Sequence, residues 1–103
     1  MNINQKIIEE LEGLAGQKFT LGNFLGSIRQ EGNLSQVEFA NALGVSKQFI
    51  CDLEHHRRSL SLKMAETFAL KLGYSAKQFV RLCLQDMIQK QGLHYLVELE
   101  EVA

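Results

Sequence analysis

An all-α domain is predicted from three observations. No proline occurs in 103 residues, so nowhere does a missing amide or a ring clash forbid a helix. Apolar residues return every three or four positions through most of the chain, the spacing of one helix face. Five serine or threonine residues, Thr20, Ser35, Ser46, Ser61 and Ser75, stand just ahead of such stretches, where a side-chain oxygen can take an orphan amide of a helix start. The architecture expected is a five-helix domain over residues 19–91, preceded by an extra amphipathic helix over 1–18 and followed by a short strand or tail over 92–103.

The first segment places Ile3, Ile7, Ile8, Leu11 and Leu14 on one face and ends in the glycines Gly13 and Gly16. It is either a helix that covers the domain or a dimer partner, or a docking surface for another protein. Thr20 caps the next helix, from Leu21 to about Glu31, with Phe19 placed to pack on Phe24 as a hydrophobic staple. That helix turns Phe24, Leu25 and Ile28 inward and ends at Gly32 and Asn33.

Ser35 and Glu38 form an S-x-x-E capping box. The short helix they open has Phe39, Ala40 and Leu43 on one face and stops at Gly44, where a left-handed residue suits the chain. Val45 points inward, and Ser46 caps another short helix whose buried face is Ile50 and Leu53. Lys47, Gln48, Phe49 and Asp52 are left on its outer side. A small Ala40 lets the two helices cross closely, and a glycine-containing turn of this length makes the pair a helix-turn-helix.

After Glu54 the stretch HHRRSLS is basic. Ser61 caps a fourth helix with core face Leu62, Ala65, Phe68, Ala69 and Leu72, closed by Gly73. Ser75 and Gln78 are spaced as a second capping box, opening a fifth helix that ends at Gly92. Staple pairs recur as Leu34 with Phe39, Val45 with Ile50 and Tyr74 with Phe79, and the agreement of these local signals is itself evidence for one architecture. The fifth helix carries two apolar stripes, Phe79, Leu82, Cys83 and Met87, and Val80, Leu84 and Ile88. One stripe fills the core and the other needs a partner. In the tail HYLVELEEV, Tyr95, Val97 and Leu99 alternate with Glu98 and Glu100, which predicts a strand that pairs with a second chain.

The set Gln36, Ala40, Gly44, Val45, Ser46, Ile50 and Leu53 resembles the lambda-repressor and Cro-like (XRE) helix-turn-helix family, over about Leu21 to Phe79. The resemblance implies double-stranded DNA as partner, a homodimer, and the second helix of the motif, residues 46–54, docked in the major groove. Lys47 and Gln48 are then the base readers, for guanine and adenine respectively. Phe49 either meets a thymine methyl or packs on the first helix. Asp52 either accepts from cytosine N4 or serves to exclude wrong bases and neutralise Lys47. Phosphates fall to Ser35, Gln36, Ser46, Arg57 and Arg58, at helix starts and in the basic loop. Arg29 is expected to pair with Glu54, and the dimer to form through Val80, Leu84, Met87, Ile88, Tyr95 and Val97. A proline common in the family near Leu60 is missing here.

Charge agrees with a nucleic-acid partner once it is divided along the chain. The net value is −1, yet residues 17–91 hold ten Lys and Arg against six Asp and Glu, and both ends are acidic. Cys51 and Cys83 lie far apart, which fits a reducing compartment rather than a disulfide. The opening MNINQKIIEELEG lacks a basic and apolar leader and no apolar run approaches a membrane span, so a cytoplasmic protein without membrane contact is expected. Cys51 with His55 is the one i, i+4 pair of metal-ligating type, too few for a zinc site. No cofactor loop and no nucleophile, base and acid grouping is found, so no enzyme is expected. The function predicted is a sequence-specific DNA-binding repressor; the alternative is an antitoxin that neutralises a toxin protein and represses its own operon.

Overall fold

A computed structural model of the chain describes residues 20–102; the predicted helix over 1–18, with Phe19 and its staple, lies outside them. Five helices follow in order: α1 (Leu21–Glu31), α2 (Gln36–Leu43), α3 (Lys47–Glu54), α4 (Leu62–Leu72) and α5 (Ala76–Lys90). Every one starts at a hydroxyl. Thr20, Ser35, Ser46, Ser61 and Ser75 each accept from the amide three residues on. At Ser35 the box is complete, since the Glu38 carboxylate also takes the Ser35 amide at 2.9 Å. At Ser75 only the hydroxyl arm forms, because the Gln78 carbonyl accepts from Arg81 Nε instead, at 2.9 Å.

The ends are as regular as the starts. Asn33, Gly44, His56, Gly73 and Gly92 have φ between 55° and 77°, and the residue after each donates to the carbonyl five residues back, as in Val45 N–H to Ala40 O at 3.0 Å. This is the Schellman closure, which satisfies carbonyls that the helix itself leaves orphaned. At His56 a residue with a Cβ takes the left-handed position, held there by Nε2 contact with Thr20 Oγ1 at 2.8 Å.

Leu25, Phe39, Leu43, Ile50, Phe68 and Phe79 are the fully buried large side chains, drawn from all five helices. Each contributes roughly 1.5–3 kcal/mol by leaving water. Phe24, Tyr74 and Phe79 meet with ring centroids 5.7–5.9 Å apart, two of the three pairs edge to face, and so lock α1 to the turn between α4 and α5. Where the family proline is missing, the loop before α4 is pinned by side chains. Leu60 is buried, its carbonyl accepts from Cys83 Sγ at 2.9 Å, and Lys90 Nζ reaches Ser59 Oγ at 2.8 Å.

The C-terminal strand is not formed: among the described residues none lies in a β-ladder, and 93–102 has no regular structure. The physical reason is Gln85, only 4% exposed on α5. Its amide donates to Tyr95 O at 2.7 Å and accepts from Val97 N–H at 2.8 Å. One side-chain amide thus supplies the two hydrogen bonds that a neighbouring strand would give to the residues flanking Leu96, and it holds the tail against its own helix with Tyr95 exposed and Leu96 and Val97 half-buried. No helix among the described residues is long and apolar enough to cross a membrane.

Candidate nucleic-acid interface

The two short helices α2 and α3 are placed by one local turn and two long-range contacts. Gly44, at φ 74°, makes the turn between them. Lys71 of α4 donates to Leu43 O at 3.0 Å and caps the end of α2. Arg29 of α1 donates through Nε and Nη2 to the two oxygens of Glu54, at 2.8 and 3.0 Å, and through Nη1 to Leu34 O at 3.0 Å. The forked geometry and the partial burial of both side chains make this an orienting contact between α1 and α3 more than a source of stability. The bond to Glu54 holds the Arg29 guanidinium above its usual pKa.

Lys47 and Gln48 are exposed on the first turn of α3. Phe49 is half-buried against the core: its ring meets Phe68 of α4 edge to face at 6.4 Å, and the Arg58 guanidinium covers it at 4.7 Å. No described residue accepts a hydrogen bond from Arg58. Asp52 is engaged within its own helix end. Its Oδ1 accepts from Gln48 Nε2 at 2.9 Å and from Arg57 Nε at 3.0 Å. These two bonds, Gln48 first, hold the Asp52 carboxyl below the ordinary carboxylate range. Lys47 is not its partner.

Of the residues expected at phosphates, Ser35 and Ser46 use their oxygens as caps, leaving each hydroxyl proton to donate. Gln36 reaches across to Glu54 Oε1 at 3.3 Å and so ties the start of α2 to the end of α3. Arg57 also donates to Cys51 Sγ at 3.3 Å. The His55 ring nitrogen Nδ1 lies 2.8 Å from Cys51 O and 3.5 Å from its sulfur, and no group of three His, Cys, Asp or Glu among the described residues could hold a metal ion.

On α5, Val80 packs against the core, Leu84 and Ile88 are half-buried, Met87 is 39% exposed, and Tyr95 in the tail is 68% exposed. Val97 is half-buried with its amide on Gln85. Two polar residues that sequence reading passed over prove structural. Gln85 organises the tail, and Asp86 receives the first amide of α1, Leu21 N–H, at 3.0 Å on Oδ2 while Oδ1 is buried without a partner. Burial raises the Asp86 carboxyl to about 6, against opposing pulls from Leu21 N–H and Lys90. Both stand in the middle of an apolar helix, which is the signal that points to them. A cavity of about 430 Å³ lies between α1, the end of α3 and α5, and its walls include Leu25, Leu53, Leu60, Met87 and Asp86 but none of Lys47, Gln48, Phe49 or Asp52.

A helix-turn-helix family model matches residues 25–79. Among solved structures, the clp gene regulator ClgR of Corynebacterium glutamicum is similar at 27% identity and a TM-score of 0.51, over 65% of this chain and 87% of that one. The hypothetical transcription factor NHTF of Neisseria is similar at 25% identity and a TM-score of 0.52, over 69% of this chain and 79% of that one. No curated protein matches. With the motif's turn, caps and α1–α3 brace in place and more than half of the chain matched, this protein belongs to the XRE-type helix-turn-helix family of DNA-binding transcription regulators.

Proposed function

We propose that this regulator is a sequence-specific repressor that binds its operator as a homodimer, with α3 in the major groove and α5 at the two-fold axis. The observation that carries the reading is the outer side of α3. Lys47 and Gln48 stand exposed on its first turn, the end from which a helix of this motif reaches base edges. Arg58 lies with its guanidinium over the ring of Phe49, the residue after Gln48, and with its N–H groups unclaimed among the described residues. Base contacts then select sequence, while Arg58 and the capped starts of α2 and α3 hold phosphate. Support for the dimer is the apolar surface left by Leu84, Met87 and Ile88 on α5, together with Tyr95. No observation on the described residues favours a toxin partner over a second copy.

The test is enrichment from a random-sequence duplex pool followed by binding and sedimentation. The wild type should enrich a two-fold symmetric sequence and sediment as a dimer. Arg58→Ala should weaken all duplexes alike and lower the salt slope by about one. Leu84→Glu should be monomeric and bind the symmetric sequence less tightly. A wild-type chain that enriches no sequence, or that stays monomeric at high concentration, would contradict this assignment.

A further inference from the structure

Gln48 is exposed, yet its amide is not free to choose an orientation. Nε2 donates to Asp52 Oδ1 at 2.9 Å, one helical turn on, and Arg57 Nε donates to the same oxygen at 3.0 Å. The guanidinium anchors the carboxylate through that shared oxygen, and the carboxylate in turn holds the amide. Since a carboxylate only accepts, it is the amide nitrogen and never the amide oxygen that Gln48 can turn toward Asp52. One of the two N–H groups is spent there. Oε1 and a single N–H remain for a ligand.

An acceptor beside one donor is the complement of adenine, which shows the N6 donor next to the N7 acceptor in the major groove. Guanine shows two acceptors, O6 and N7, and would need both amide hydrogens. An unrestrained glutamine can offer both by turning its amide. A glutamine tied to Asp52 cannot, and the nearby negative charge adds repulsion against the same two guanine atoms. We propose that Asp52 is a positioning residue that holds the Gln48 amide with one N–H spent, and so imposes adenine over guanine at one base pair without itself touching DNA. Arg57 is the anchor that keeps the Asp52 carboxylate in place. The inference rests on the reading of α3 as the groove helix.

The test uses the full chain and the duplex that the wild type enriches from a random pool, with every base substituted in turn at each position. Wild type, Gln48→Ala, Asp52→Ala, Asp52→Asn and the Gln48→Ala/Asp52→Ala double variant are compared by fluorescence anisotropy, with helical circular dichroism as a check that each is folded. Asp52→Ala should relax adenine over guanine by about tenfold at the same base pair that Gln48→Ala relaxes, with the remaining positions unchanged. The double variant should relax it no further. Asp52→Asn should fall between wild type and Asp52→Ala, because its own amide can meet either end of Gln48. A purely structural role would weaken all sequences equally and leave every preference intact, which would overturn the inference. Relaxation at a different base pair would do the same, since it would make Asp52 a direct reader. A wild type that enriches no motif would instead sink the groove-helix reading itself, and this inference with it.

Discussion

Gly22 is where α1 touches the end of α3, and its replacement by alanine measures how tightly that contact is set. A Cβ built on Gly22 would lie 2.3 Å from Leu53 O and 3.3 Å from Leu53 C, about 1 Å short of ordinary contact and against backbone rather than a flexible side chain. The neighbour cannot fold away, so α1 must move off α3 or tilt. Overpacking of this kind costs about 1–3 kcal/mol. Alanine returns at most about 1 kcal/mol of helix propensity, and less than that in the first turn. With roughly 0.5 kcal/mol returned, the clash wins by about 0.5–2.5 kcal/mol, which lowers Tm by roughly 2–20 °C for a domain of this size. Gly26, one turn on along the same face, supplies the control. Its Cβ would meet only the Glu54 side chain, at 3.7 Å, so Gly26→Ala should keep the propensity gain and stabilise by about 0.5–1 kcal/mol. Urea unfolding followed at 222 nm gives both numbers. If Gly22→Ala proved as stable as the wild type, α1 would be free to slide over Leu53, and the close approach would have no part in placing α3.

Asp86 and Gln85 offer two further tests. The Asp86 carboxyl titrates near 6 in the fold against an ordinary 3.8, so the fold prefers the protonated form. Stability is then full below about pH 4, falls as pH rises toward 6, and stays reduced above it, by at most about 3 kcal/mol. Asp86→Asn keeps an acceptor for Leu21 N–H and should be more stable than wild type at pH 7.5, with the difference gone at pH 3.5. A difference independent of pH would assign the effect to packing instead. Gln85→Ala removes both bonds to the tail, at Tyr95 O and Val97 N–H. It should cost about 1–3 kcal/mol and speed hydrogen exchange at the Val97 amide; unchanged exchange there would mean that other contacts hold the tail.

How much of this was legible beforehand follows the range of each interaction. Caps and closures are local, so Ser35 with Glu38, Ser46, Ser61, Gly44 and Gly73 could be read from residues three to six apart, and the helices begin and end where these residues stand. The family resemblance led to Arg29 and Glu54, 25 positions apart, a pairing that no local pattern contains. Phe49 was legible only as an outer residue with two alternatives. Its ring lies on Phe68, whose position depends on how α4 returns across α3. Gln78 differs: its spacing suits a capping box, but Arg81, three residues on in the same helix, takes its carbonyl, a competition between two local partners that spacing alone does not decide.

The sequence by itself determined the helices, their order and the turn that makes α2 and α3 a motif, because amide capping, left-handed closures and apolar spacing act within one or two turns. The tertiary structure decided what the polar side chains were for. Gln85 and Asp86 stand out in the sequence only as polar residues among apolar ones, and their partners appear once α5 lies beside the tail and the start of α1, where one bonds Tyr95 and Val97 and the other caps Leu21. The tail alternates like a strand, yet a strand needs a second row of amides and carbonyls at the right spacing. Here a single buried glutamine supplies that row, and only the packed fold could bring it within reach.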